Sequence, residues 1–400
     1  MNDAVRNWKD RAYLRASPVA MVFINEAFGL PGVCETQGLT MSEAPSLGVR
    51  VTDRRPRPIE SPAYAALDLG TNNCRLLIAT PTANGFRVLE AYSRIVRLGE
   101  GLSQTGQLSE PAMERALAAL KVCAEKVRRR RAVRVRAIAT QACRGAGNGP
   151  DFVQRVARET GLQLQIITPQ EEARLSVAGC QALLDRESDA ALVMDVGGGS
   201  TELSWVDLRD MKDGARPLIR AWLSVPVGMV TLAEHYPEGQ DSDDVWFRRM
   251  VDDVKGRIAA FERAEVMRSV FEAGNAHLIG TSGAVTSLAG LHLNLPRYDR
   301  NTVDGMWLTR AQCDAAVTRL LAMTPAQRAD QACIGADRAD LVLAGAAVLQ
   351  AVQELWPCER VRVADRGLRE GVLLSLMTDR SNRRRRGGRR RYAPKPSPAP

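Results

Sequence analysis

The chain has 400 residues, 45% of them hydrophobic and 25% charged, with a formal net charge of +9. That is enough apolar material for two sizeable cores, and no stretch approaches the roughly 18 consecutive apolar residues of a membrane span, so no membrane partner is expected. The charge is concentrated: residues 380–400 hold eight arginines, one lysine and no acid, so this tail carries the +9 and the remainder is formally neutral.

Residues 1–60 are poorly patterned. The fairly apolar segment 18–33 is interrupted by Asn25, Glu26 and Gly29 and lacks a small-residue cleavage site, so it reads as an extension, and Met41 offers a start just ahead of the regular fold. From Ala63, "AYAALDLG", "CRLLIAT" and "FRVLEAYSRIV" read as three strands of an antiparallel meander, with a "TANG" turn between the last two. A helix over 109–130 follows, with Ser109 as its cap and Pro111 in its first turn. Then come the strand "VRVRAIAT", a loop "QACRGAGNG", a helix over 150–160, the strand "LQLQII" and a helix over 169–184.

At this point the opening theme repeats. "ALVMDVGGGSTELSWVDL" and "AYAALDLGTNNCRLLIAT" share an apolar strand, an Asp-x-Gly core and an apolar return strand, and "LIRAWLSVPVG" supplies a third strand. A helix over 243–265, the strand "AHLIG", a turn "GTSGAVTSLAG", helices over 309–322 and 337–355, the strand "VRVA" and a last helix in "GLREGVLLSLM" complete the pattern. The fold class is α/β. Two similar domains, 61–173 and 174–378, are expected to flank a cleft, between the extension 1–60 and a disordered Arg/Pro-rich tail, 379–400.

The two Asp-x-Gly turns carry the candidate chemistry. Gly197, Gly198 and Gly199 can turn backbone N–H groups toward one point and let an anion approach closely, and Ser200 and Thr201 add hydroxyl donors. Asp195 would repel a bare phosphate, a conflict that disappears if it holds a divalent cation while the glycines hold phosphate oxygens. Asp68, Gly70, Thr71, Asn72 and Asn73 repeat that logic, and Gly280, Thr281, Ser282 and Gly283 add a third small-residue turn. Arg75, Arg97 and Arg144 offer forks for phosphate oxygens, and Arg144 shares its loop with Thr140. Glu171 and Glu172 open a helix about 100° apart around its axis, so one can face the cleft and position water while the other faces solvent. Glu202 could help to hold a hydrated cation. A dinucleotide site is disfavoured because the glycines lead into a β segment, and no GxxxxGK[ST] occurs. The cysteines form no CxxC pair, which fits a reducing cytoplasm, and His235, His277 and His292 are too scattered for a histidine-rich zinc site.

"ALDLGTNNCRLLIA", "VRLGEGL", "ATQACRGAGNG", "ITPQEEARLSVAG", "VMDVGGGSTELS", "GTSGAVTSLAG", "RADLVLAGAAVL" and "GLREGVLLSL", in that order over about residues 63–378, resemble the exopolyphosphatase and guanosine pentaphosphate phosphatase (Ppx/GppA) family. The resemblance implies two ribonuclease-H-like domains of the actin, sugar kinase and 70-kDa heat-shock superfamily, removal of a terminal phosphate by water, and a homodimer. It selects Glu172 as the catalytic acid and matches Asp195 and Glu202, with Asp68, to cation and phosphate coordination. Mg2+ is implied, and Mn2+ would suit the same oxygens. The substrate it implies is inorganic polyphosphate or guanosine pentaphosphate; a related kinase, a polyphosphate- or nucleotide-binding regulator without turnover, and an RNA-associated protein are the alternatives. The basic tail adds a weak polyanion contact, and no additional helical domain follows residue 378 as it does in longer relatives.

Overall fold

The computed structural model describes residues 61–83, 85–209, 211, 217–239, 243–259 and 264–389. The extension 1–60 and the tail beyond Arg389 lie outside them. Strands β1 (Tyr64–Leu69), β2 (Asn73–Thr82) and β3 (Gly85–Ile95) form the expected antiparallel meander. β1 also pairs in parallel with β4 (Arg134–Ala139), and β4 with β5 (Leu164–Ile166), giving the order β3-β2-β1-β4-β5. Every residue of β1 is buried, which is why it reads as an unbroken apolar run apart from Asp68.

The second sheet contains β6 (Ala190–Val196), β7 (Thr201–Asp207), β8 (Leu218–Val225), β9 (Ala276–Thr281), β10 (Trp307–Thr309) and β11 (Arg360–Ala364), ordered β10-β11-β9-β6-β7-β8. Without the short β10, it reproduces the first sheet strand for strand, with the same parallel and antiparallel relations. The repeat holds to single residues. Asp68 stands opposite Arg75 and beside Ile138, while Asp195 stands opposite Glu202 and beside Thr281. Two similar lobes are therefore present, as the repeated motif implied.

Alternation along β1 sends Ala65, Leu67 and Leu69 to one core, with Leu117 and Phe152 of the helices Glu110–Arg129 and Gly149–Thr160, and Tyr64 and Ala66 to the other face. That other face is closed by Leu175 of the helix Pro169–Cys180 and by Val372 and Leu373 of the helix Leu368–Arg389. Val177 and Cys180, on the same Pro169–Cys180 helix, pack into the second lobe. The expected boundary at 173/174 thus falls inside a helix shared by both lobes, and residues 368–378, grouped by sequence with the second domain, pack on the first. No linear pattern reveals which sheet a distant apolar stripe will cover. The two helices meet backbone to backbone: a Cβ on Gly179 would lie 1.9 Å from the Gly367 carbonyl oxygen, and one on Gly371 would lie 1.9 Å from that of Leu175.

Other boundaries shift for local reasons. "QACRG" of the expected loop is a short helix, Gln141–Gly145, and the "GTSG" turn leads into a helix, Gly283–His292, whose residues from Ala284 to Leu291 are all buried. A helix apolar on every side has no 3.6-residue polar stripe to betray it. Where a helix to about 265 was expected, the described residues form the helices Asp243–Ala259 and Ala264–Glu272, and the one expected from 337 begins at Val342. Helical backbone also continues to Arg389, into the segment read as disordered; arginine is a good helix former. Among the described residues the cysteines are all free and buried, and no helix is long and apolar enough to cross a membrane.

Burial pushes the His277 imidazole down from 6.5 to about 4; its Nε2 accepts the Asp185 N–H at 3.3 Å and its ring meets Trp307 edge-on. The unfolded chain takes up this proton below 6.5 and the folded chain only near 4, so the contribution of His277 to stability is lost as pH falls through that window. Chemical denaturation across it should give a wild-type stability that declines relative to His277→Gln; parallel pH profiles for the two proteins would contradict this account.

Candidate active site

A cavity of about 490 Å³ opens where the carboxyl ends of β1, β4, β6 and β9 converge. Its inner end is formed by the two Asp-x-Gly turns, built alike. Gly70 N–H donates to Asn73 O at 2.8 Å, and Gly197 N–H donates to Ser200 O at 2.8 Å. Behind the second turn, the N–H groups of Met229 and Val230 bond to the carbonyls of Gly197 and Gly198 at 3.0 and 2.8 Å. The amides of Gly198 and Gly199 make no hydrogen bond to the described backbone and remain available to an anion.

None of Gly197, Gly198 and Gly199 has a positive φ. What requires glycine here is the opposite turn: a Cβ on Gly198 would lie 3.0 Å from Thr71 Cβ and 3.1 Å from Asn72 N, and one on Gly199 would lie 2.9 Å from Thr71 Oγ1. The absent side chains let the two lobes touch through their turns.

The acids converge from both lobes. Glu172 and Ser176 stand four residues apart on the shared helix and so project from one face. Glu172 is buried, and Arg144 donates to its Oε2 at 3.0 Å while also bonding Ile167 O and Gln141 Oε1. Glu171 turns away to Arg136 at 2.5 Å, so the geometry separates the two glutamates and Glu172 is the one that lines the cavity. Asp195 is held on both oxygens, by Ser176 Oγ at 2.5 Å and Thr281 Oγ1 at 2.6 Å, and Glu202 accepts from Ser224 at 2.8 Å. Burial first, and Asp195 second, push Glu202 up to about 7. Burial also lifts Asp68 to about 6 against the pull of Arg75 and Arg369. Glu172 is pushed well above the carboxylate range by burial and by Glu202, while Arg144 pulls it back.

Asp68 Oδ1, Asn72 Oδ1 and Asn73 Oδ1 are buried without a partner. Orphaned hard oxygens beside raised carboxylates form a donor set that suits Mg2+. Asp68, Asp195 and Glu202 nevertheless do not form a ready-made cage, since among the described residues no three Asp, Glu, His or Cys side chains are grouped to hold a metal unaided. Mg2+ ordinarily keeps several waters and uses one or two carboxylates plus substrate phosphate, which is compatible with that spacing.

Of the residues picked out in the sequence, Gly70, Thr71, Asn72, Asn73, Arg75, Thr140, Gly197, Gly198, Gly199, Ser200, Thr281, Ser282 and Gly283 line the same cavity as the four acids. Four do not. Arg144 is occupied in holding Glu172. Arg97 reaches across to the second lobe, pairing with Asp340 at 2.9 Å. Thr201 donates inward to Val227 O, and Gly280 lies within β9. Arg338, Arg366 and Arg369 line the cavity and were not anticipated. Arg366 is paired with Asp304, whereas Arg338 stands over Gly283, its guanidinium carbon 3.6 Å from where a Cβ would be. Ser176 was legible in principle as the i+4 neighbour of Glu172.

Gly198→Ala should cost about 1–3 kcal/mol in urea unfolding, because the new methyl would press on Thr71 Cβ and on the Asn72 amide nitrogen and Cβ, none of them the free end of a flexible side chain. Gly256→Ala, in the helix Asp243–Ala259 with open space around it, should instead gain about 0.5–1 kcal/mol. Equal effects at the two sites would show that the contact between turns is not tight.

The Ppx/GppA phosphatase family model matches residues 77–380. Exopolyphosphatase 2 of Mycobacterium tuberculosis is 31% identical over 329 residues, which cover 78% of this chain and 98% of that protein. Guanosine-5'-triphosphate,3'-diphosphate pyrophosphatase of Photobacterium profundum is 30% identical over 318 residues; the match covers 80% of this chain but only 60% of the relative's length. The crystal structure of the Aquifex aeolicus member of the Ppx/GppA family is similar at a TM-score of 0.65 and 28% identity, covering 80% of this chain and 98% of that one. With its repeated sheets, paired turns and cleft acids, the chain belongs to the Ppx/GppA phosphatase family.

Proposed function

We propose that the protein is an exopolyphosphatase, releasing terminal orthophosphate from inorganic polyphosphate by attack of water. The observation that carries this proposal is the juxtaposition of Glu172, oriented by Arg144, with the two turns, the second of which offers the free amides of Gly198 and Gly199. The terminal phosphoryl group would lie between the turns, with Arg75, Arg338 and Arg369 along the chain behind it. Water forms the new P–O bond, its proton passes to a Glu172 carboxylate oxygen, and the bridging P–O bond breaks. The bonding electrons leave with the shortened chain. Asp195 and Glu202, with Asp68, would hold Mg2+ or Mn2+, which would supply neutralising charge for phosphate and for the crowded carboxylates. Homodimerisation and a weak polyanion contact by the arginine-rich tail belong to the same proposal.

Removal of the 5′-terminal phosphate of pppGpp would use the same groups. The match to exopolyphosphatase 2 over 98% of that relative's length, against 60% for the Photobacterium relative, favours polyphosphate. Phosphate release from long polyphosphate, short polyphosphate, pppGpp and ATP, with and without Mg2+, decides between them. Long polyphosphate with Mg2+ should be turned over fastest, and exclusive turnover of pppGpp would reverse the assignment.

Glu172→Gln should lower kcat by about 100-fold or more while leaving substrate binding intact, as expected for a lost general base. Normal turnover by this variant would sink the hydrolytic role. Arg144→Met should lower kcat more than it changes KM. Since Arg144 holds the Glu172 carboxyl down, its removal should also move the acid limb of the pH–rate profile to higher pH. An unshifted limb would mean that Arg144 does not act through Glu172.

A further inference from the structure

We propose that a basic surface at the end of the first lobe remote from the cleft is a second binding site for polyphosphate, taking up the far part of a long chain whose terminus lies between the turns. This rests on the polyphosphate assignment above.

Two helices carry arginines to that end from opposite faces of the first sheet. The helix Glu110–Arg129 packs Leu117 and Leu120 on one face and finishes with Lys126, Arg128 and Arg129, followed by Arg130 and Arg131. Two residues further on, Val133 N–H donates to Ala63 O at 2.8 Å, immediately before β1 begins. The helix Leu368–Arg389 starts at the cleft, where Arg369 and Glu370 line the cavity, and covers the other face through Val372, Leu373 and Leu376. Leu376 O accepts from Arg134 Nη1 at 3.3 Å, and Arg134 opens β4 beside Tyr64, the first residue of β1. The helical backbone beyond Leu376, which carries six arginines over residues 380–389, therefore leaves the lobe at the end where residues 128–131 lie.

This end has positive charge to spare. Cations suit a helix C-terminus, and Glu90 of β3 accepts from Lys126 and Arg129 at 2.6 Å and from Arg130 at 2.7 Å. One carboxylate does not neutralise three cations. Arg128 and Arg131 are exposed and form no ion pair among the described residues. Glu125 is the other acid of the stretch, and none follows it in sequence until Asp151. Tyr92 is half-buried, with Lys126 Nζ 5.7 Å from its ring centre, and the exposed Trp222 stands in the second sheet. The surface thus offers charge without a platform for stacking, a chemistry that reads phosphate and not bases. β1 is six residues long, so this end and the turns lie about 20 Å apart. A long chain bridges that gap and tripolyphosphate does not.

Steady-state hydrolysis by the full-length protein, with long-chain polyphosphate and tripolyphosphate at equal concentrations of chain ends, tests the second site. Arg128→Ser combined with Arg131→Ser should raise KM for the long chain roughly tenfold at low salt, with kcat and both constants for tripolyphosphate unchanged. Added salt should shrink the difference, because exposed charges are screened. A rise of equal size for the two substrates, or none for the long chain, would overturn the second site and leave the reaction assignment standing. Poly(A) RNA should displace long-chain polyphosphate only weakly from the wild type; displacement at a lower concentration of phosphate groups would assign the surface to RNA and overturn the proposal. If the double variant does not fold, the wild type decides alone: its KM should be lower and more salt-sensitive for the long chain than for tripolyphosphate, and equal behaviour would contradict the second site. Absence of any polyphosphate cleavage by the wild type would overturn the substrate assignment, and the second site with it.

Discussion

The contact between the two turns is the constraint on which the site depends. Gly198 and Gly199 lack side chains where Thr71 and Asn72 press from the other lobe, so two hairpins of like geometry approach until their backbones nearly meet. One methyl group in that position would part the lobes by a few tenths of an ångström, and every group aimed across the cleft would move with them. The three glycines therefore serve proximity before they serve conformation. The amides they leave unpaired follow from the same arrangement, because the carbonyls are drawn backward by the N-terminus of the helix Met229–His235.

Duplication explains why the two turns match, and one exchanged residue explains why they differ in chemistry. Opposite Asp68 the return strand carries Arg75; opposite Asp195 it carries Glu202. One turn thereby carries an acid facing a base and the other two facing acids. Glu172 enters from neither turn but from the helix that both lobes share, with Ser176 on the same face fixing Asp195. Burial pushes Asp68 up to about 6 and Glu202 up to about 7, and it does so against the pull of Arg75 and Arg369 on the first and of the Ser224 and Ser200 hydroxyls on the second.

Much of this was legible in the chain. The Asp-x-Gly repeat announces itself because both turns end strands buried on two faces, where an acid among apolar residues stands out. Glu172 could be separated from Glu171 only by resemblance, since adjacent helix positions differ by an angle whose origin the sequence does not state; packing of Leu175 and Val177 against different sheets sets that origin. Arg144 was recognised as important, yet its partner is Glu172 across a gap of 28 residues, and nothing local distinguishes a guanidinium that meets a ligand from one that holds a side chain. Arg369 and Arg338 went unseen because their neighbours at the cleft are reached only when the last helix and the 335–338 loop return to it.

That return has a consequence for how the protein is made. One face of the first sheet finds its cover within residues 63–164, so it can condense soon after those residues leave the ribosome. The opposite face meets Ile167 and Leu175 early but also needs Val372, Leu373 and Leu376, so part of the apolar surface of Tyr64, Ala66 and Ile138 must wait while the second lobe is synthesised. These contacts, which span about 300 residues among those described, thus form last, and the helix that begins at Leu368 is the step at which a nascent, aggregation-prone surface becomes an interior.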